Sequence, residues 1–414
     1  MQFLSRRIYF DLKNHLDSPE MSVILGPRQA GKTTLMLKLM EELKASNKPA
    51  VYLNLGILED KQYFLTQHTL IDRVQRLLGM EGVVFLDEIH RLENAGLYLK
   101  GLYDMKTPYK FVVSGSGSLE LKANIMEPMT GRKREFLCMP LSFSEFAANR
   151  LSVNLKDLDS TIDSNKYELA RLVDEYMAFG GYPRVVLSQT YEEKFSVLSE
   201  IYKSYLERDI EALLKVEKSG VFESLVRILA SQVGNMVNKS ELSSTLGVTE
   251  RTIKKYTHLL EKTFIIAMVP PFYSRVRREI TKSSKVFFMD LGMLALAQGR
   301  SPEVKFSEGG TFENACYLRL NELNLLERVK FWRSKTGAEV DFVIISPKTG
   351  KAIPVEVKSS VKEERPLSKS LISFIGKYKP NACFIYNREN SFESKRGNTK
   401  IGVLPYHYTL PGVG

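Results

Sequence analysis

A glycine-rich loop near the N-terminus constrains this chain more than any other feature. It reads Gly26-Pro27-Arg28-Gln29-Ala30-Gly31-Lys32-Thr33-Thr34, a complete G-x-x-x-x-G-K-T phosphate-binding loop. An apolar run at residues 21–25 precedes the loop, and apolar residues recur at helical spacing over 35–40. A strand, a loop and a helix in this order favour a nucleotide site over a glycine turn that merely starts a helix. We therefore expect these nine residues to bind ATP, with Lys32 at the β- and γ-phosphates and Thr33 on Mg²⁺.

A second apolar run, residues 82–86, ends in two adjacent acids and is typical of a Walker B strand. Asp87 is predicted to hold Mg²⁺, and Glu88 to orient and polarise the attacking water. The run at 111–113 leads into Ser114-Gly115-Ser116-Gly117, so Ser114 or Ser116 is expected to sense the γ-phosphate beside these acids. The other interpretation of this segment is a plain serine-glycine loop. The pair of Walker motifs predicts hydrolysis as well as binding.

Strand and helix patterns alternate through the first part of the chain. Strands are predicted at residues 21–25, 50–55, 83–86, 110–113 and 135–139. This alternation predicts an α/β fold with a parallel P-loop NTPase sheet. Arg132 follows the serine segment and is predicted to supply transition-state charge to a neighbouring subunit in a homo-oligomer, although a solvated surface position explains it equally well. Arg184, in the turn Gly180-Gly181-Tyr182-Pro183-Arg184, could reach nucleotide, but we assign this segment to turn formation.

A helix-turn-helix is predicted over residues 242–260, with Thr249 as the N-cap of its second helix. Strands at 264–269 and 285–289 would form a wing. Basic residues outnumber acidic ones from Arg251 to Arg300, Lys285 included, which suggests contact with phosphates. The predicted contacts are Arg251, Lys254, Lys255, Arg275, Arg277 and Arg278. The alternative is a winged helix that binds another protein or acts as a lid.

The last third of the chain carries acids on two predicted neighbouring strands. Asp341 opens the first strand, and Glu356 and Lys358 share a face of the second, in the D…E-x-K layout of restriction-endonuclease-like nucleases. Glu313, on an upstream helix, is placed to join them. Glu313, Asp341 and Glu356 are thus predicted metal ligands, with Lys358 activating water or stabilising the phosphorus centre. Such a fold can also serve binding alone, so cleavage and fold are separate expectations.

Composition restricts the remaining function classes. The chain has 414 residues, 43% of them apolar, and a formal net charge of +11, which suits several packed domains and anionic partners. Neither a signal peptide nor a membrane span is recognisable, so we expect a cytoplasmic protein without a membrane partner. The three cysteines and five histidines are scattered and predict neither a disulfide framework nor a zinc site.

Together these motifs resemble prokaryotic AAA-type ATPases whose C-terminal half is domain of unknown function 4143 (DUF4143). The resemblance rests on the P-loop, Phe-Leu-Asp-Glu at the Walker B strand, the Gly-Gly-Tyr-Pro-Arg turn, Tyr205-Leu206-Glu207-Arg208-Asp209-Ile210, the helix-turn-helix, Phe287-Phe288-Met289-Asp290-Leu291-Gly292 and the segment 332–358. It implies an AAA-like core followed by a helical and winged-helix unit and an α/β restriction-endonuclease-like tail. Many relatives carry a Thr-Gly-Ser-Ser-like sensor where this chain has Ser114-Gly115-Ser116-Gly117.

We predict four regions: an AAA-like ATPase at residues 1–150, a helical lid or linker at 151–218, a winged helix-turn-helix at 219–300 and a nuclease-like domain at 301–414. The expected function is an ATP-hydrolysing AAA-type ATPase that acts on nucleic acid, DNA more than RNA. The alternative is a regulatory or signalling ATPase whose winged helix and inactive nuclease-fold tail bind a protein partner.

Overall fold

A computed structural model describes residues 2–116, 129–206, 219–272, 283–300, 309–322, 329–346, 349–362 and 366–411. Its first unit is a sheet of five strands. These are β1 (Met21–Gly26), β2 (Ala50–Asn54), β3 (Gly82–Asp87), β4 (Tyr109–Ser116) and β5 (Lys133–Leu137). All neighbours are parallel, in the order β2-β3-β4-β1-β5. The five predicted strands are confirmed, with ends shifted by at most a few residues.

Helices cover both faces of this sheet, as its apolar strands require. The helices Arg7–Asn14 and Lys32–Ala45 pack on one face, through side chains such as Leu12 and Leu39. On the other face lie Gln67–Leu78 and Ala95–Asp104. A short helix, Leu58–Lys61, follows β2 in the chain. This arrangement brings the carboxyl ends of β1, β3 and β4 together at one edge, where the P-loop also lies.

Within the described residues, the middle of the chain is helical apart from one antiparallel pair of strands, which we call the hairpin. Its helices are Phe143–Leu151, Lys166–Phe179, Pro183–Leu187, Tyr191–Ser204, Ser219–Ser231, Lys239–Leu246, Glu250–Lys262 and Leu291–Ala297. Strands β6 (Ile266–Val269) and β7 (Lys285–Phe288) pair antiparallel after the predicted second helix. Thr249 accepts a hydrogen bond from the backbone N–H of Thr252, which confirms it as the N-cap.

The C-terminal region contains a six-stranded mixed sheet and two helices. The helices are Gly310–Asn321 and Lys369–Tyr378, and the strands are β8 (Val329–Arg333), β9 (Glu339–Ile345), β10 (Ala352–Val357), β11 (Ala382–Asn387), β12 (Phe392–Arg396) and β13 (Thr399–Pro405). The strand order is β12-β13-β11-β10-β9-β8. β9 and β10 pair antiparallel, as the predicted hairpin requires. β10 and β11 pair parallel, which makes the sheet mixed.

One apolar cluster joins the helical segment, the hairpin and the C-terminal sheet. It includes Leu4 near the N-terminus and then extends from Leu141 to Leu410 along the chain. At its centre the ring of Phe287 on β7 stacks on Tyr317 with centroids 4.7 Å apart and also contacts Phe342 on β9. The helix Phe143–Leu151 runs through position 150. The region boundaries proposed from the sequence stay predictions.

Across the ranges that the structure describes, every helix is too short or too polar to cross a lipid bilayer.

His407 is buried, and its sequence neighbours Tyr406 and Leu410 belong to the apolar cluster described above. Only 4% of the residue is exposed, and Arg319 Nη2 donates to the His407 backbone oxygen at 3.1 Å. Burial, followed by the positive charges of Arg319 and Lys166, lowers the pKa of His407 to about 4, against a smaller opposing effect of Asp163. The folded chain therefore keeps the ring neutral at pH values where the unfolded chain protonates it.

This difference makes the stability of the fold depend on pH between about 6.5 and 4. Because the unfolded state binds the extra proton there, stability falls as pH falls, by at most about 1.4 kcal/mol per pH unit for this group. In His407→Phe that contribution disappears. Urea unfolding of both proteins from pH 4 to 8 should show the variant gaining on the wild type only below pH 6.5, and parallel curves would contradict the assignment.

Candidate nucleotide site and tail carboxylates

The P-loop ends at the N-terminus of the helix Lys32–Ala45. Gly31 is its N-cap and has a φ of 97°, a left-handed conformation that glycine adopts without strain. The side chain of Lys32 is buried against the loop, and its Nζ donates to the backbone oxygens of Gly26 at 2.9 Å and Pro27 at 2.7 Å. The N–H groups at the start of this helix and the ammonium of Lys32 thus lie beside the same loop, an arrangement that suits a phosphate.

Asp87, at the end of β3, accepts hydrogen bonds from several elements of the site. Its Oδ2 accepts hydrogen bonds from the hydroxyls of Thr33 and Tyr52, both at 2.6 Å. Its Oδ1 accepts from the Ser114 hydroxyl and, at 2.9 Å, from the backbone N–H of Glu88. Asp87 as a whole residue is 1% exposed. One buried acid therefore links the P-loop, the strand β2, the serine segment and the second acid.

Glu88 leaves this strand in an unusual conformation. Its φ of 60° and ψ of 32° are left-handed, which is uncommon outside glycine and found where a site constrains the backbone. The Glu88 carboxylate lies 3.1 Å from Arg91 Nε and 3.5 Å from His90 Nε2. Burial lowers the pKa of His90, despite the opposing charge of Glu88, and so favours a neutral ring. Glu88 also lines a cavity beside the P-loop.

A cavity of about 630 Å³ opens beside the P-loop and is large enough for a nucleotide. Its lining includes Lys32, Thr33, Asp87 and Glu88. Four arginines also line it, namely Arg6, Arg28, Arg91 and Arg184. The N-terminal segment contributes the apolar side chains of Phe3 and Leu4. Cationic groups around the loop and apolar groups at its edge fit a triphosphate and a base, so the residues present are compatible with Mg²⁺-ATP.

Arg184 lines this cavity, although from the sequence we preferred turn formation over contact with nucleotide for its segment. Its Nη1 donates to the P-loop Gln29 Oε1 at 2.8 Å, and its two terminal nitrogens form a forked pair with Glu200 at 2.9 and 3.0 Å. The backbone N–H of Gly181, in the same turn, donates to Asp290 Oδ2 at 2.8 Å. The turn is thereby fixed at the mouth of the cavity. One sequence signal could have pointed to a role for Arg184: the pair Pro183-Arg184 begins a helix shortly after two glycines.

Other predicted groups of the nucleotide site have different surroundings. The Ser114 hydroxyl contacts Asp87, whereas the side chain of Ser116 lies outside the described part of the chain. Arg132 Nε pairs with Asp104 at 2.9 Å. Arg132 is absent from the lining of the cavity, so its action on a neighbouring subunit stays a prediction.

The predicted phosphate contacts separate into two groups. Arg251, Lys254 and Lys255 are exposed on the helix Glu250–Lys262, whose inner face buries Ile253. Arg275, Arg277 and Arg278 lie outside the described residues. Lys285, which we counted in the basic segment of the sequence, does not add to an exposed surface, because its side chain is 3% exposed and paired with acids.

The tail carboxylates are close together, and each of them already has a hydrogen-bond donor or an ammonium group as its partner. Glu356 Oε1 lies 2.6 Å from Lys358 Nζ, and Glu356 Oε2 accepts from the Ser368 hydroxyl at 2.7 Å. Asp341 Oδ2 accepts from the backbone N–H of Val357 at 2.7 Å. Burial raises the pKa of Asp341, and the nearby charge of Glu356 adds to the shift. The predicted proximity of Asp341 and Glu356 is therefore confirmed.

Glu313 joins the cluster through a residue that the sequence did not reveal. Lys285 Nζ lies 2.9 Å from Glu313 Oε1 and 2.6 Å from Glu339 Oε1. Within the described ranges, no three acidic, histidine or cysteine side chains form a group that could hold a metal ion. The expectation that Glu313, Asp341 and Glu356 form a metal site is thus wrong for this arrangement, because hydrogen bonds and ammonium groups engage these acids.

Comparison with known sequences identifies the domains. Residues 18–147 match the model of an AAA domain, residues 308–407 match Domain of unknown function (DUF4143), and residues 170–304 match Domain of unknown function (DUF8612). The chain therefore contains an AAA domain and a DUF4143 region, and these matches confirm the resemblance seen in its motifs.

Proteins similar in sequence come from a bacterium and an archaeon. An uncharacterized protein of Haemophilus influenzae is 26% identical over 393 residues, which cover 91% of this chain and 92% of the relative. An uncharacterized protein of Methanocaldococcus jannaschii is 24% identical over 346 residues, or 81% of this chain and 74% of the relative.

Among solved structures, the Aeropyrum pernix ORC1 protein in complex with DNA gives a TM-score of 0.31 at 13% identity, covering 70% of this chain and 90% of that one. Cdc6p from Pyrobaculum aerophilum gives a TM-score of 0.28 at 13% identity, covering 72% of this chain and 94% of that one.

Arg184→Ala tests the part that this arginine takes in nucleotide binding. Because the forked guanidinium lines the cavity beside Gln29, its loss should weaken ATP binding about tenfold, the effect of one charge-assisted hydrogen bond. Fluorescent-nucleotide titration measures the change. Arg171→Ala, which removes an exposed arginine paired with Glu168, is the matched control. Equal affinities for the two variants would remove Arg184 from the site.

Proposed function

We propose that this protein is an ATPase that couples Mg²⁺-ATP hydrolysis in its AAA domain to action on nucleic acid. The observation that carries the ATPase proposal is the convergence of Thr33, Asp87 and Ser114 in hydrogen bonds at the mouth of a cavity with four arginines. These groups come from three separate elements, namely the helix Lys32–Ala45, β3 and β4. A nucleotide site accounts for their meeting more simply than a structural hydrogen-bond network does.

Each residue of the site has a role in this proposal. The N–H groups after Gly31 and the ammonium of Lys32 bind phosphate oxygens, and Thr33 with Asp87 holds Mg²⁺. Mg²⁺, when bound, neutralises charge on the phosphate oxygens. Glu88 accepts a proton or hydrogen bond from water at the end of β3, and Ser114 keeps Asp87 and the Glu88 backbone oriented.

The nucleic-acid part of the proposal rests on the helix Glu250–Lys262. Thr249 caps its N-terminus, and Ile253, Tyr256 and Leu260 anchor its inner face in the core. Arg251, Lys254 and Lys255 are exposed on the opposite side, near the end that a recognition helix inserts into a groove. Exposed cations on a rigid, capped helix suit contact with phosphates.

Lys32→Ala and Glu88→Gln test the ATPase directly. Lys32→Ala removes a phosphate contact and should abolish turnover. Glu88→Gln keeps the shape of the site but removes the carboxylate that orients water, so it should bind ATP normally and hydrolyse it at least about a hundredfold more slowly. Phosphate release and nucleotide titration measure the two effects. Lys38→Ala, at an exposed ion pair of the same helix, is the control, and normal turnover in either site variant would refute the assignment.

Charge reversal on the proposed recognition helix tests nucleic-acid binding. Lys254→Glu with Lys255→Glu should weaken binding of duplex DNA about a hundredfold and flatten its salt dependence, because phosphate contacts release counterions. Fluorescence anisotropy over a salt series measures both, with single-stranded DNA and RNA as comparison ligands. Lys48→Glu with Lys156→Glu gives the same charge change at exposed positions elsewhere. Salt-independent behaviour, or equal loss in the control, would favour a protein partner instead.

A further inference from the structure

Lys285 is the buried cation of the tail cluster, although it belongs to the hairpin that precedes the tail. It begins β7, and its side chain is 3% exposed. Its ammonium lies between the carboxylates of Glu313, on the helix Gly310–Asn321, and Glu339, on β9. Burial opposes the charged form, but the carboxylates of Glu313, Asp341 and Glu339 outweigh it and raise the pKa of Lys285. The lysine is therefore charged inside the protein.

The surroundings of this ammonium are closed on several sides. The ring of Phe331 on β8 faces Lys285 Nζ at 5.4 Å from its centroid, a cation–π contact. Behind Glu313 lies Gly234, with a φ of +78°, where an added Cβ would stand 2.8 Å from Glu313 Oε2. The backbone N–H of Gly234 donates to the oxygen of Val286, the residue after Lys285. Aromatic, carboxylate and backbone groups thus enclose the charge tightly.

Buried carboxylates need cations or hydrogen-bond donors, and in the nuclease-like arrangement expected from the sequence the cation would be a divalent metal ion. Here Glu313 and Glu339 take the positive charge from Lys285, and Glu356 takes it from Lys358, while Asp341 accepts a backbone N–H. A divalent ion would have to displace a lysine already surrounded by matched partners. The donor set therefore does not fit a resident metal.

We propose that the ammonium of Lys285 takes the place of a metal ion in the tail, so that the carboxylate cluster binds strand β7 instead of a divalent cation. The tail then acts without metal-dependent cleavage. Its acids fix the hairpin after the proposed recognition helix to the C-terminal sheet. This inference does not depend on the ATPase proposal, because none of these residues lines the nucleotide cavity.

Manganese binding to the nucleotide-free, full-length chain tests the proposal. Electron paramagnetic resonance should detect no saturable Mn²⁺ site in the wild type. Lys285→Met has nearly the same shape but no charge, so the acids it leaves behind should acquire one saturable Mn²⁺ site. Mn²⁺ should also raise the melting temperature of this variant towards the wild-type value. Adding Asp341→Asn to it should weaken or abolish the new site.

Lys38→Met, which removes an exposed ammonium paired with Glu41, should gain no site and serves as the control. A wild-type Mn²⁺ site that Asp341→Asn or Glu356→Gln abolishes would overturn the proposal. A folded Lys285→Met variant without a new site would also overturn it. Should this variant fail to fold, the wild type and Asp341→Asn still decide, because only a resident metal site predicts a difference in Mn²⁺ binding between them.

Discussion

The carboxylate of Asp87 is the interaction on which the N-terminal half of this protein depends. Four donors converge on its two oxygens, from the P-loop, from β2, from β4 and from the next residue of the chain. A buried carboxylate is stable only when such donors compensate its charge. The same hydrogen bonds therefore stabilise the edge of the sheet and align Thr33 with the acid. The side chain of Asp87 therefore serves both the stability of the fold and the proposed chemistry of the site.

A contiguous set of contacts extends from this site to the C-terminal region. Arg184 lines the cavity, and Gly181, three residues earlier, is held by Asp290. Asp290 also caps the helix Leu291–Ala297 and follows closely after β7, the strand that Lys285 begins. Lys285 in turn binds the tail acids. The turn at the nucleotide cavity and the tail sheet are thus attached to opposite ends of one short segment, and a common apolar core surrounds it.

The local sequence predicted those features whose cause is local. Strands of the parallel sheet, the P-loop and the Walker B acids each carry their signal within a few residues, and Thr249 was recognisable as a cap from its neighbours. Lys285 was not recognisable, because in sequence it is one more basic residue in a basic segment. Its burial depends on Glu313 and Glu339, which come from other elements. Arg184 was undervalued for the same reason, since its partners Gln29 and Glu200 are distant along the chain or on another helix.

Nucleotide binding by the P-loop is the central claim, and calorimetric titration of ATP into the full-length protein tests it most directly. Titrations with and without Mg²⁺ should give one saturable site per chain that Mg²⁺ strengthens. With Asp87→Asn, the strengthening by Mg²⁺ should be lost while binding of the free nucleotide persists, because the phosphate contacts of Gly31 and Lys32 remain. Well-folded wild-type protein that takes up no ATP under either condition would contradict the account.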